Sequence, residues 1–149
     1  MGEKSAVRIL QALLNGEISA VETYKSAAHH LPDTEIGAEL LELAVAHEKS
    51  ARKLRRRLRQ LGTTAGAEVG IGGFAFPELE GSLSDDLVAL SILQEGEQRA
   101  LSAYQTSLSG LDEASRSLVM HELIPEQELS DNVVTTLRDG MGLLARKSA

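Results

Sequence analysis

Glu17 and Glu97 stand at positions where helical spacing calls for apolar residues. Around the first, Val7, Leu10, Leu14, Val21, Tyr24, Ala28 and Leu31 recur in steps of three and four, and position 17 falls on that line. Around the second, Leu87, Leu90, Leu101, Tyr104 and Leu108 do the same with position 97. Each glutamate has a tyrosine seven residues later, in GEISAVETYKS and GEQRALSAYQT. Two further glutamates complete a set. Glu17 and Glu48 are equidistant from Pro32-Asp33, and Glu97 and Glu128 from Asp112-Glu113. If those dipeptides are the turns of helical hairpins, each pair shares a level about 15 residues, or roughly 23 Å, from its turn. Four carboxylates then converge on the middle of a bundle.

Such a cluster is costly, because each desolvated charge costs several kcal/mol and like charges repel. No Lys or Arg falls in the seams beside them. Shared protons or bound cations are the two resolutions. Hard oxygen donors suit iron, manganese or a similar divalent ion, and two such ions would neutralise four carboxylates. Asp131, three residues after Glu128, is a fifth candidate ligand. The bland alternative is a register shifted by one, which would leave these glutamates on solvated helix faces.

The elements that must position these residues are four helices, expected at about 4–31, 34–61, 84–110 and 113–140. Pro32 and Gly62 punctuate the first two, Asp33 or Thr34 is a plausible N-cap of the second, Ser84-Asp85-Asp86 is a capping cluster for the third, and the fourth starts near Asp112. Pro125 inside the fourth predicts a kink. The long segment 62–83 is Gly-rich yet carries Val69, Ile71, Phe74 and Phe76, so it reads as a crossover lying along the bundle with its phenylalanines plugged in. Two tight hairpins joined by one crossover make an all-α, antiparallel four-helix bundle in one domain, 1–149. An internal repeat agrees: residues 16–62 laid on 96–142 match at ten positions, among them both Gly-Glu pairs and both tyrosines.

Composition narrows the function. With 149 residues, 42% hydrophobic and 25% charged, the chain has an ordinary globular make-up and enough length for a core. A net charge of −7 argues against nucleic acid or an anionic membrane as partner. No cysteine is present, which excludes disulfides, thiolate metal sites and Cys nucleophiles. No apolar run approaches a membrane span or a signal peptide, so the expected location is cytoplasmic.

The glutamates and their spacing resemble the ferritin-like superfamily, and most of all the small bacterial ferritin-like bundles of unknown function. The resemblance implies a two-metal site made by a Glu on helix one, Glu-x-x-His on helix two, Glu on helix three and Glu-x-x-His on helix four. It breaks at both histidines: Ala51 follows Glu48 at the third position, and Asp131 follows Glu128. Asp131 can substitute as an oxygen ligand; Ala51 cannot. His47 fits the apolar line Leu40, Ala44, Ala51, Leu54, and reads either as a hydrogen-bonded core histidine or as a substitute nitrogen ligand. Tyr24 and Tyr104 lie too far along the axis from their own glutamates; they read either as support for a carboxylate on another helix or as buried tyrosines whose hydroxyls find any partner.

Other features carry less. The run ARKLRRRLRQ (51–60), with its basic residues from Arg52 to Arg59, reads as a solvated face favoured by the helix C-terminal dipole; the alternatives are a docking surface for nucleic acid or another anionic partner, and pairing with acidic residues across a dimer contact. His29 and His30 suit the end of helix one, and His121 is too far from Glu128 to join it. Gly70, Gly72 and Gly73 do not make a phosphate loop. Two readings follow. One is a ferritin-like protein that binds iron or manganese, with one or two ions per chain, through Glu17, Glu48, Glu97, Glu128 and Asp131. As an enzyme it would be a di-metal, ferroxidase-type oxidoreductase. The other is a non-enzymatic structural or stress-related bundle with a degenerate site. A homodimer or larger homo-oligomer is expected under either.

Overall fold

The computed structural model describes residues 3–63, 73–77, 79 and 85–148; among them every regular element is helical and there is no strand. Helices α1 (Glu3–His30) and α2 (Thr34–Gln60) form one antiparallel hairpin. Helix α3 (Asp86–Ser107) and a 3₁₀ turn (Leu108–Gly110) lead into the second. The fourth helix comes in three continuous parts: α4 (Glu113–Leu118), a π-helical turn (Val119–Leu123) and α5 (Ile124–Ser148). The hairpins pack side by side, α1 on α3 and α2 on α5. The result is the expected four-helix bundle.

Each turn has a local cause. Asp33 caps α2 by accepting from Glu35 N (2.9 Å) and Ile36 N (3.0 Å), worth about 1 kcal/mol. At the other end Gly62 takes φ +82°, while its N–H reaches Arg59 O and the Thr63 N–H reaches Leu58 O. That is the left-handed glycine stop, which brings donors to the last carbonyls of the helix. Asp85, in the expected capping cluster, caps α3 at Val88 N, and the helix begins at Asp86, two residues after the expected start. Asp112 caps α4 and also holds Arg57 at 2.8 Å, while Arg57 Nε donates to Ser115 Oγ. One member of the basic run thus ties α2 to the start of the fourth helix, and Lys53 pairs with Glu122 at 3.1 Å just beyond it.

Pro125 follows closely on a π-helical turn. Its ring has no N–H and crowds the carbonyl four residues back. The wider π turn immediately before it absorbs that conflict, and the Ile124 N–H bonds Val119 O instead. The fourth helix then runs on past residue 140, the expected end, to Ser148.

The interior is two apolar half-cores with a polar layer between them. One half holds Leu40, Leu43, Leu90, Leu93 and Val134; the other holds Leu10, Leu14, Leu54, Leu58 and Leu123. A fully buried leucine contributes about 1.5–3 kcal/mol, so these layers supply the main driving force.

The crossover sits on the bundle at the two Gly-Glu pairs. A methyl group at Gly16 would lie 2.6 Å from the Phe74 ring, and one at Gly96 would lie 2.6 Å from the Phe76 ring. Glycine precedes each glutamate because a phenylalanine occupies the space of its missing side chain. Phe76 N also donates to Ser19 Oγ at 3.2 Å. Residues 64–72, 78 and 80–84 lie outside the described residues, and with them the expected packing of Val69 and Ile71 and the glycines 70 and 72.

This packing separates two kinds of helical glycine. Gly96→Val should destabilise the fold by about 1–3 kcal/mol through overpacking against Phe76. Gly140→Ala, with open space around the added methyl, should stabilise it by about 0.5–1 kcal/mol. Urea unfolding of both variants checks this, and equal signs would contradict the notch.

Candidate functional site

Glu17 on α1 is 1% exposed and Glu97 on α3 is fully buried, so both carboxylates do stand in the core. The group between them is His47, from α2, at 3% exposure. Its Nδ1 lies 2.6 Å from Glu17 Oε2 and its Nε2 lies 2.9 Å from Glu97 Oε1. Both ring nitrogens are therefore committed to carboxylates, which requires both to carry protons when they donate.

The tyrosines close the arrangement crosswise. Tyr24 from α1 donates to Glu97 Oε1 at 2.5 Å, and Tyr104 from α3 donates to Glu17 Oε1 at 2.6 Å. Each hairpin thus supplies the tyrosine that serves the other hairpin's glutamate. From α5, Ser130 Oγ donates to Glu97 Oε1 at 2.6 Å and lies 3.1 Å from His47 Nε2. Gln127 Nε2 donates to Glu97 Oε2 and, at 3.0 Å, to the Glu97 carbonyl. Six hydrogen bonds end on two carboxylates.

The electrostatics follow from burial and charge. Burial alone would push the His47 pKa down, but the Glu17 and Glu97 carboxylates outweigh it and hold it at about 10. The imidazole is then an imidazolium at neutral pH, one positive charge between two negative ones. Burial, and next the facing glutamates, push both tyrosine hydroxyls well above their ordinary range, so both remain donors. Aromatic rings complete the enclosure: Tyr24 stacks on His47 with centroids 5.3 Å apart, and Phe76 meets both edge-on at 5.4 and 5.7 Å. Phe74 contacts Tyr104 at 6.0 Å.

Glu48 and Glu128 are not in this layer. Glu48 is partly exposed and pairs with Lys25 at 3.0 Å on the outer face, where that hydrogen bond and charge lower its pKa. Glu128 is exposed. The expected convergence of four carboxylates is corrected to two. The reason is angular: level was read correctly, but neighbouring residues on a helix differ by about 100° in direction. His47 and Ser50 face the core where Glu48 and Ala51 were set, and Gln127 and Ser130 face it where Glu128 and Asp131 were set. Ala51 is also buried, in the apolar half-core beside the layer. Asp131 sits at the margin, half-buried, with Oδ1 buried and without a partner; burial, and then Glu97, raise its pKa. His121 is exposed in the π turn.

Sequence reasoning missed Gln127 and Ser130. Their signal was the spacing Leu123, Gln127, Ser130, Val134, which is an apolar seam with polar residues at its two middle positions.

The donor set does not fit a two-metal centre as arranged. Neither imidazole nitrogen is free, Glu48 and Glu128 point elsewhere, and among the described residues no three His, Asp or Glu side chains are disposed to hold a metal ion. Among the described residues, too, no helix is long and apolar enough to cross a membrane.

Residues 5–110 match the family described as "Domain of unknown function (DUF2383)", a span that includes both buried glutamates, both tyrosines and His47. No curated protein matches the chain. Because that family match covers well over half of its length, the chain belongs to the DUF2383 family.

Proposed function

We propose that this chain is a ferritin-like helical-bundle module that is not an enzyme, its mid-bundle acid pair held by the proton of His47 and not by metal. The observation that supports this reading is the double use of one imidazole, Nδ1 on Glu17 and Nε2 on Glu97. Buried carboxylates left without a cation are strongly destabilising. Here an imidazolium supplies the charge, and two hydroxyls from tyrosine, one from serine and a glutamine amide supply the remaining donors. The polar layer is complete without a cofactor, and its work is to fix the register of four helices that present their outer faces to partners.

Metal titration tests this. Protein purified from iron- and manganese-supplemented cells should carry only trace metal, and anaerobic Fe(II) or Mn(II) should leave its Tm unchanged. Stoichiometric metal with a raised Tm would overturn the reading, since a ligand that binds only the folded state must stabilise it.

One observation favours the metal-binding reading instead: the partnerless Oδ1 of Asp131 beside Glu97. Under that reading Glu17, Glu97 and Asp131 would hold iron or manganese once His47 had lost a proton, and redox chemistry of bound iron would follow from the metal. Asp131→Asn should then lower the retained metal. Under the first reading it changes nothing in metal content.

A further inference from the structure

We propose that the outer ridge of α2 is a self-association surface that receives a second copy of this chain, antiparallel, across a two-fold axis near Val45. The inference concerns a face opposite the polar layer and stands independently of what that layer does.

The ridge is marked by spacing. Glu35, Ala38, Glu42 and Val45 follow one another at steps of three and four, and all are exposed. The same rhythm continues without a break through Lys49, Arg52, Arg56 and Arg59, again all exposed. Alternating steps of three and four keep a narrow stripe on one side of a helix, the geometry by which one helix packs along another. At the middle of the ridge Val45 is 49% exposed, and Leu41 beside it is 43% exposed.

Charge is ordered along it, acidic in the first half and basic in the second. None of Glu35, Glu42, Lys49, Arg52, Arg56 and Arg59 forms an ion pair among the described residues. The neighbouring cations one step round the helix, Lys53 and Arg57, are both used by the fourth helix. The helix dipole accounts for an acid in the first turn and an arginine in the last, but its influence fades within one turn. Glu42, Lys49 and Arg52 lie beyond its reach.

Such a ridge is complementary to itself in one direction only. Parallel pairing would set acid on acid and base on base. Antiparallel pairing about Val45 sets Val45 on its own copy, Glu42 beside Lys49 of the partner subunit, and Glu35 beside Arg56 of the partner subunit. Ala38 leaves room for the long side chain of Arg52 of the partner subunit to lie across it. The contact of Val45 with its own copy lies on the axis, and each of the others occurs twice by symmetry. With a small apolar centre and an exposed charged rim, the association should be modest and sensitive to salt.

Sedimentation of the full chain over a concentration series tests this. The expected result is a monomer–dimer equilibrium that shifts to monomer in molar salt. Glu35→Arg/Glu42→Arg and Lys49→Glu/Arg56→Glu should each weaken it by roughly tenfold or more, with helicity retained, while an equimolar mixture of the two variants should dimerise again. A monomer at every concentration in low salt overturns the proposal. So does a dimer that both variants leave intact, or a mixture that stays monomeric. A monomeric chain that instead binds nucleic acid through Arg52 and Arg56 also overturns it.

Discussion

His47→Leu should destabilise the bundle by about 3–5 kcal/mol at neutral pH, the cost of leaving buried charges without their counter-ion. For a chain of this length that corresponds to a fall in Tm of about 10 °C or more. Leucine is apolar and of similar size, so lost packing is not the source. The cost comes from Glu17 and Glu97, which keep their tyrosine donors but lose the one cation between them. One consequence separates this from a cavity effect. Adding Glu17→Gln and Glu97→Gln to His47→Leu should recover most of the loss, because an amide still accepts from tyrosine and carries no charge. Urea unfolding monitored by circular dichroism reads all three chains. A single variant within about 1 kcal/mol of wild type, or one that glutamine does not rescue, would show that His47 is not the counter-ion.

The route from sequence to this layer succeeded on two helices and slipped on two. On α1 and α3 the apolar lines through Leu10 and Leu14, and through Leu90 and Leu101, are dense enough to fix direction, and Glu17 and Glu97 interrupt them visibly. On α2 the level of the site came from counting to the turn, which cannot distinguish residue 47 from residue 48. Direction had to come from the seam Leu40, Ala44, Ala51, Leu54, and that seam points to His47. Its neighbour Glu48 carries the carboxylate but stands about 100° off that seam. On the fourth helix even the seam is hard to see, because its middle positions are Gln127 and Ser130. The π turn before Pro125 further disturbs the helical phase there. Amides and hydroxyls at core positions carry no charge to draw the eye, yet they supply two of the six donors on the carboxylates. The roles of Gly16 and Gly96 were equally illegible, since the phenylalanines that need them lie far away in the chain.

The crosswise tyrosines lock the two hairpins together. Without them, one hairpin sliding by a turn along the bundle axis would lose little apolar contact. Tyr24 reaching Glu97 while Tyr104 reaches Glu17 forbids that slide, because one step of 5.4 Å would break both bonds at once and strand both acids. A polar layer of this kind costs stability relative to leucine packing but selects one register. The crossover reinforces the choice: Phe74 and Phe76 meet their glycine notches beside the same two glutamates.

The same proton should make stability depend on alkaline pH. In the unfolded chain His47 titrates near its ordinary value of 6.5, and in the bundle near 10. The folded state therefore holds a proton that the unfolded state has lost across that interval. The stabilisation is fully present below about pH 6.5 and is lost as pH rises through about 10, at up to roughly 1.4 kcal/mol per pH unit. The total is on the order of a few kcal/mol. Tyr24 and Tyr104, also raised, extend the decline in the same direction above pH 10. In His47→Leu the decline between pH 6.5 and 10 should vanish while the tyrosine limb remains. Measuring unfolding free energy against pH for both chains isolates the histidine, because other alkaline effects are common to both. A metal-holding site would behave oppositely. A cation competes with protons for its ligands, so its binding strengthens as pH rises. Stability that climbs with pH in the presence of Mn(II) would assign the middle of the bundle to metal; stability that falls along the His47 titration, with or without it, assigns it to the proton.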